Sequence, residues 1–333
     1  MFTRFFLSIS IAGFSLHANA QLKRFSFTEQ KMGSPLMIVM YCTDSAQAST
    51  LARQSFQLVD SFNHIFSDYD SSSELMQLNA VGQSIHTSPV LWQILLESKN
   101  AYEKSSGAFD ITVGPLVKEW RRARKAKQFP SQQKIDSIKK LTGFSSLSFD
   151  TVQKKILLKK GMSLDLGGIA KGWIAQKVIN FLKEQQVPNA LADAGGDIVI
   201  GDAPPTTAGW SIGINVPESK EDLLAQSLLL QNKAVATSGD AYQFIEKDGK
   251  RYSHITDPKT GYGVTFQRNV TIIANDGSTA DWLATACSIL PIKKAKKLAA
   301  SMQAELLIAE NRNNKIIFYS TGGFAQYWNR NEK

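Results

Sequence analysis

Cysteine is nearly absent: Cys42 and Cys287 are the only two in 333 residues. Two cysteines so far apart announce neither a disulfide framework nor a metal knuckle. One ends an apolar strand-like run and the other lies within an apolar helix, so both read as small core residues. Histidine is scarce as well, four in all, scattered without ligand spacing, which argues against a zinc site. Beyond the N-terminal segment no apolar run approaches the roughly 20 residues that cross a bilayer. Low-complexity tracts are missing, and no basic segment is interleaved with aromatics, which speaks against nucleic-acid binding. The familiar nucleotide fingerprints are missing too. The one glycine-rich turn runs Lys171-Gly172 rather than Gly-Lys-Ser/Thr, and Gly167, Gly168 and Gly172 do not make G-x-G-x-x-G.

What is present begins with residues 1–20, which have the form of a secretory signal. Arg4 supplies the charge, Phe5 to Leu16 the short apolar core and Ala18-Asn19-Ala20 a small-residue cleavage site. The expectation is an exported, periplasmic protein starting at Gln21, soluble after cleavage; an uncleaved segment would act as an anchor. No cysteine follows the cleavage site, which disfavours a lipoprotein. Residues 21–333 show no linker and are expected to form one large domain or two intimate halves. The chain carries a net charge of +9, which suits an anionic small molecule as well as it suits nucleic acid. The runs Lys118, Arg121, Arg122, Arg124, Lys125, Lys127 and Lys293, Lys294, Lys296, Lys297 read as solvated helix faces.

Periodicity places a buried strand at Pro35–Cys42, then a helix capped by Asp44 with Leu51, Leu58, Val59, Phe62 and Phe66 at helical spacing. Ser88-Pro89 opens another helix, which Gly107 closes. Strands are expected at Ser146–Phe149, Lys155–Leu158 and Met162–Leu166, and a long helix at Ile169–Glu184. Further strands follow at Asp197–Ile200, Trp210–Val216, Ser227–Leu230, Tyr242–Ile245, Val270–Ala274, Glu305–Ala309 and Lys315–Tyr319. Helices are expected near Ser278–Leu290 and Lys293–Met302, and the best loop is Gly201–Gly209. Many neighbouring strands are close enough for hairpins, as around Asp248-Gly249. The fold class is therefore α+β, with mixed, largely antiparallel sheets and packed helices.

Three clusters carry candidate chemistry. Asp165-Leu-Gly-Gly-Ile-Ala-Lys-Gly172 joins a carboxylate, a glycine pair and a lysine at a helix start, which fits a phosphate cradle and equally a plain strand-turn-helix corner. Asp281 and Thr285 stand four residues apart on one helix face. They offer oxygen ligands to a hard cation such as Mg²⁺, or else a helix-start aspartate and a threonine packed by its methyl. His254 and Thr256 precede the turn Asp257-Pro258-Lys259-Thr260-Gly261 and project to one side of a strand, where His254 is a proton acceptor or a hydrogen-bonded structural histidine.

Taken in order, these segments resemble the FAD:protein FMN transferase (ApbE) family over nearly all of residues 21–333. The resemblance rests on Lys31-Met32-Gly33-Ser34, Phe66-Ser67-Asp68-Tyr69, Ser73-Glu74-Leu75, Leu78-Asn79 and Gly107-Ala108-Phe109-Asp110-Ile111-Thr112-Val113-Gly114-Pro115-Leu116. It continues through the glycine turn, Asp193-Ala194-Gly195-Gly196-Asp197, Thr237-Ser238-Gly239, Ser253-His254 and the Asp281 helix. Each motif is weak alone; their order is specific. The resemblance implies Mg²⁺-dependent transfer of FMN from FAD to a threonine or serine hydroxyl of an acceptor protein, with AMP leaving. It implies Mg²⁺ held by Asp281, Thr285 and a main-chain oxygen of Gly168, with Ala284 close by. FAD contacts are implied at Met32, Tyr69, Ala108, Phe109, Asp110, Asp165, Lys171 and Thr256, and the base at His254. The implied partner is a flavoprotein subunit of a membrane redox complex. Ser34, where threonine is frequent, keeps a hydroxyl, and Thr256 stands where isoleucine is common. An FAD pyrophosphatase yielding FMN and AMP, and an exported FAD-binding protein without catalysis, are the alternatives.

Overall fold

A computed structural model describes residues 21–82, 87–215, 224–239, 243–313 and 315–330. Residues 1–20, Val216 at the end of one expected strand and Tyr242 at the start of another lie outside the described residues. Strands β1 (Lys23–Lys31) and β2 (Ser34–Cys42) form an antiparallel hairpin. Its two-residue turn, Met32-Gly33, has both φ values positive, 52° and 74°, the geometry that matches the twist of paired strands. Asp44 then caps α1 (Ser45–Phe66) by accepting from Gln47 N–H at 2.8 Å. Helix α2 (Glu74–Val81) and α3 (Pro89–Lys104) follow, capped by Ser73 and by Ser88 with its proline. Helix α4 (Gly114–Ala126) and α5 (Gln132–Lys139) lead to the small hairpin of β3 (Leu147–Asp150) and β4 (Lys155–Leu158).

Segment 162–166, expected as a strand, joins no sheet. One backbone bond, Asp165 N–H to the Ile111 carbonyl at 2.8 Å, and one side chain hold it: Asn79 donates Nδ2–H to the Leu164 carbonyl at 3.0 Å and accepts Leu164 N–H at 2.7 Å. A side-chain amide thus imitates a neighbouring strand, and apolar composition cannot distinguish the two partners.

Next come α6 (Ala170–Glu184), β5 (Ala190–Asp193), β6 (Asp197–Ile200), the hairpin of β7 (Trp210–Ile212) and β8 (Leu228–Leu230), and β9 (Ala234–Gly239). Strands β10 (Phe244–Lys247) and β11 (Lys250–Ser253) turn at Asp248-Gly249, with φ of 52° and 70°, as the dipeptide predicts. The chain ends with β12 (Arg268–Ala274), α7 (Gly277–Ile289), α8 (Ile292–Ser301), β13 (Glu305–Arg312) and β14 (Lys315–Ser320).

The main sheet has eight strands in the order β1-β2-β5-β6-β9-β12-β13-β14, and every pairing among the described residues is antiparallel. Strand β2 shows why both faces are covered. Leu36, Ile38, Met40 and Cys42 point into the core under the helices, while Met37, Val39 and Tyr41 point into a second core under the β7–β8 hairpin. Helices α1, α6, α7 and α8 cover the first face. A third cluster, around Trp120, joins α4 and α5 to the β10–β11 hairpin. Cys42 and Cys287 are both buried and free, as their apolar surroundings predict. Among the described residues no helix is long and apolar enough to cross a membrane.

Candidate active site

The site is assembled where α6 and α7 touch. Gly172 and Gly277 pack backbone to backbone: a Cβ on Gly172 would sit 2.1 Å from the Gly277 carbonyl oxygen, and one on Gly277 would sit 2.1 Å from that of Gly172. No side chain larger than hydrogen fits, so the glycines bring two helix starts together. Ile169, at the N-cap of α6, makes no side-chain cap bond. Asp281 of α7 fills that role from 109 residues away, accepting Gly172 N–H on Oδ2 at 3.0 Å along with a bond from the Lys171 backbone. The helix end that the glycine turn was expected to offer to phosphate is thus partly occupied by a protein carboxylate.

Asp281 is 5 % exposed, and burial pushes its carboxyl up to about 6, against the opposing bonds from Gly172 and the charge of Lys171. Burial also raises Asp197 well above its ordinary value, with Asp281 adding to it, and raises Asp193. Lys171 opposes the shift at all three carboxylates. One lysine among three acids leaves a site short of positive charge, to which a cation would be attracted. Thr285 lies one turn along from Asp281, and its Oγ1 would be 3.0 Å from a Cβ on Gly168. The Phe109 ring also approaches Gly168, at 3.3 Å from the same point. Asp281, Thr285 and Gly168 are therefore brought together, with Ala284 buried beside them. Among the described residues no group of three or more His, Cys, Asp or Glu side chains could hold a metal. A hard cation here would complete its shell with hydroxyl, main-chain, water and phosphate oxygens.

A second wall comes from α4, and here the solvated-face reading needs correction. Arg121 is turned inward: it donates to Asp68 and, at 3.3 Å, to Asp165 Oδ2, while its guanidinium lies 4.5 Å from the centre of the Tyr69 ring. Arg124, one turn on, is half-buried, and its Nη1 is sealed from solvent without a hydrogen bond. At about 100° per residue, position 124 falls at the border of the buried stripe Leu116, Trp120 and Ala123, whereas position 121 falls well away from it, so a helical projection could have flagged Arg124 but not Arg121. Asp165 also accepts Gly167 N–H at 2.8 Å; burial and Asp68 raise its carboxyl, and Arg121 opposes them. Tyr69 is 79 % exposed, a ring open on the side away from the guanidinium. Asp110 is buried, its Oδ1 accepting from the Thr112 amide and hydroxyl at 2.8 and 2.7 Å, and it caps the short turn Ile111–Val113.

The third wall is the stretch after β11. His254 lies just past the strand end, its amide bonded to the Gln243 carbonyl at 2.7 Å. Thr256 bridges to Gly263. His254 Nδ1 and Thr256 Oγ1 are both sealed from solvent without a hydrogen-bond partner. Burial lowers the imidazole to about 4, with Arg124, Lys171 and Arg121 adding to the effect, so His254 is neutral at pH 7. The fourth wall is the Met32–Ser34 turn. Ser34 Oγ, another sealed hydroxyl without a partner, would be 2.6 Å from a Cβ on Gly195, a point 3.8 Å from Lys171 Nζ.

The residues of these walls lie within residues 32–308, which match one family model, described as the ApbE family. The chain belongs to the ApbE family. Among ApbE relatives, the FAD:protein FMN transferase of Klebsiella pneumoniae (strain 342) is 32% identical over 297 residues, covering 87% of this chain and 90% of the relative. That of Treponema pallidum is 30% identical over 302 residues, covering 84% and 83%. The solved ApbE protein of Thermotoga maritima superposes with a TM-score of 0.83 at 28% identity, covering 93% of this chain and all of that one. The flavin transferase ApbE of Vibrio cholerae does so with 0.81 at 25%, covering 92% and 99%. The α+β architecture is thus that of the ApbE structures.

Proposed function

We propose that this protein is an FAD:protein FMN transferase, moving FMN from FAD to a threonine or serine hydroxyl of an acceptor protein and releasing AMP. The observation that carries this reading is the set of sealed, partnerless polar atoms, His254 Nδ1, Thr256 Oγ1, Arg124 Nη1 and Ser34 Oγ, in a chain of the ApbE family. Buried polar atoms are ordinarily bonded, and a substrate rich in phosphate and hydroxyl groups supplies what these lack.

In this reading Met32, Tyr69, Ala108, Phe109, Asp165, Lys171 and Thr256 hold FAD, the exposed Tyr69 ring offering a stacking face and Lys171 its charge. Asp110 belongs to the same set, its Oδ1 already engaged by Thr112. Asp281, Thr285 and the Gly168 main chain hold Mg²⁺, with Ala284 alongside. When bound, the ion supplies positive charge to phosphate oxygens during in-line displacement. His254, neutral at pH 7, takes the proton of the acceptor hydroxyl as its oxygen bonds to the flavin-side phosphorus. The bond to the bridging oxygen breaks, and its electron pair leaves on AMP. Export through the residue 1–20 signal would place the protein beside its acceptor, a flavoprotein subunit of a membrane redox complex.

The test is incubation with FAD, Mg²⁺ and an acceptor domain, followed by intact mass. A gain of one FMN on the acceptor is expected, abolished by a chelator. AMP release without that gain would point to FAD hydrolysis instead, and turnover unaffected by chelation would remove the metal assignment.

A further inference from the structure

Arg121 and Arg124 stand three residues apart on α4 and have different fates. Arg121 spends its charge on Asp68 and Asp165. Arg124 has no ion pair among the described residues; the charge nearest in effect is that of Arg121, which with burial disfavours its protonated form. Retiring a guanidinium nitrogen from water with nothing to receive its N–H costs free energy that a bound anion would recover. The position of that anion is indicated by the neighbours. One turn before Arg124, the Trp120 ring stacks on that of Tyr252 with 6.2 Å between centres, which sets this part of α4 against the chain two residues before His254; His254 Nδ1 and Thr256 Oγ1 are likewise sealed without partners, and of the charges acting on His254 that of Arg124 is the strongest. A planar fork of donors, an imidazole nitrogen and a hydroxyl suit the oxygens of a phosphoryl group, and a neutral ligand would leave the guanidinium uncompensated.

We propose that Arg124 binds the pyrophosphate of FAD on the side facing His254 and makes the site select the dinucleotide over an uncharged flavin. This rests on the flavin-transfer reading. Arginine stays protonated throughout the working pH range, so it offsets the charge on the phosphate oxygens while His254 remains neutral and able to accept a proton. Sequence gave no hint of the division of labour, since both arginines belong to one basic run.

The experiment compares FAD and riboflavin binding by titration calorimetry, in Mg²⁺ buffer, for wild-type protein and Arg124→Met. The expected result is FAD affinity at least about tenfold weaker, as for loss of one charge-assisted contact, with riboflavin affinity changed less than about twofold. Equal losses for both ligands would mean that Arg124 only supports the fold, and unchanged FAD binding would mean that it meets no phosphate; either overturns the proposal. Should Arg124→Met not fold, Arg124→Lys carries the same comparison: FAD binding falls at least about threefold with riboflavin unchanged, because a point charge replaces the fork, and parity with wild type overturns it. Wild-type protein that binds FAD no more tightly than riboflavin would instead remove the flavin-transfer reading, and the role of Arg124 with it.

Discussion

Replacing Gly172 by alanine tests how the site is held together. In a free helix the change would be favourable by up to about 1 kcal/mol, because alanine is the better helix former. Here the new methyl would lie 2.1 Å from the Gly277 carbonyl oxygen and 2.8 Å from Asp281 Cβ. That is more than 1 Å inside the roughly 3.3–3.6 Å at which carbon rests against a carbonyl oxygen. The obstacle is backbone on the facing helix, so rotamer change gives no relief, and α6 and α7 must part. Overpacking of this kind costs about 1–3 kcal/mol. Parting the helices also strains the 3.0 Å bond from Gly172 N–H to Asp281, a charge-assisted bond of about 1.5–3 kcal/mol. The expected net loss is about 2–4 kcal/mol. Urea unfolding followed by circular dichroism measures it, with Gly322→Ala as the control, since a Cβ there meets nothing within 4 Å and its φ is not left-handed. Gly172→Ala as stable as that control would refute the close-packing account, and with it the reason for glycine at this contact.

Acid should destabilise the protein through His254. Its pKa falls from 6.5 to about 4 on folding, so the unfolded chain binds the proton more readily and stability declines as pH drops from about 6.5 to 4. The full shift corresponds to about 3 kcal/mol, reduced toward 2 by the ring's partial exposure; wild type should lose this amount of stability relative to His254→Gln as pH falls across that window, and a difference that does not change with pH would contradict it. Asn79→Ala should cost about 2–3 kcal/mol in urea unfolding, because both Leu164 backbone bonds, 3.0 and 2.7 Å, are lost; a cost below about 0.5 kcal/mol would show that segment 162–166 is held otherwise. Both thiols are buried, and burial pushes Cys287 up to about 12. A thiol reagent should therefore count two cysteines only after denaturation, and reductant should leave the melting temperature unchanged; rapid labelling of the native protein would refute the packing described.

Elements with a local signature were legible. Asp44 and Ser88 cap their helices through their own side chains, and Asp248-Gly249 makes its hairpin turn, because caps and two-residue turns are satisfied by groups a few residues apart. Segment 162–166 was misread because its partner, Asn79, is 85 residues away. Strands β1, β5, β9 and β11 were not foreseen: β1 is mostly exposed, with few apolar positions to show a period, and β5 is only four residues long. Within the candidate site, Asp281 meets Gly172, and Thr285 and Phe109 close on Gly168; Asp110 is bonded to Thr112, and Arg121 and Arg124 are turned inward.

By itself the sequence determined the fold class, the starts of α1 and α3 and the family, since each rests on local pattern or on the order of motifs. Only the tertiary structure decided which groups are buried without partners. Arg121 and Arg124 share one helix and one charge, yet two carboxylates from distant segments neutralise the first and none among the described residues reaches the second. Desolvation and ion pairing depend on what packs against a side chain, which no spacing along the chain records.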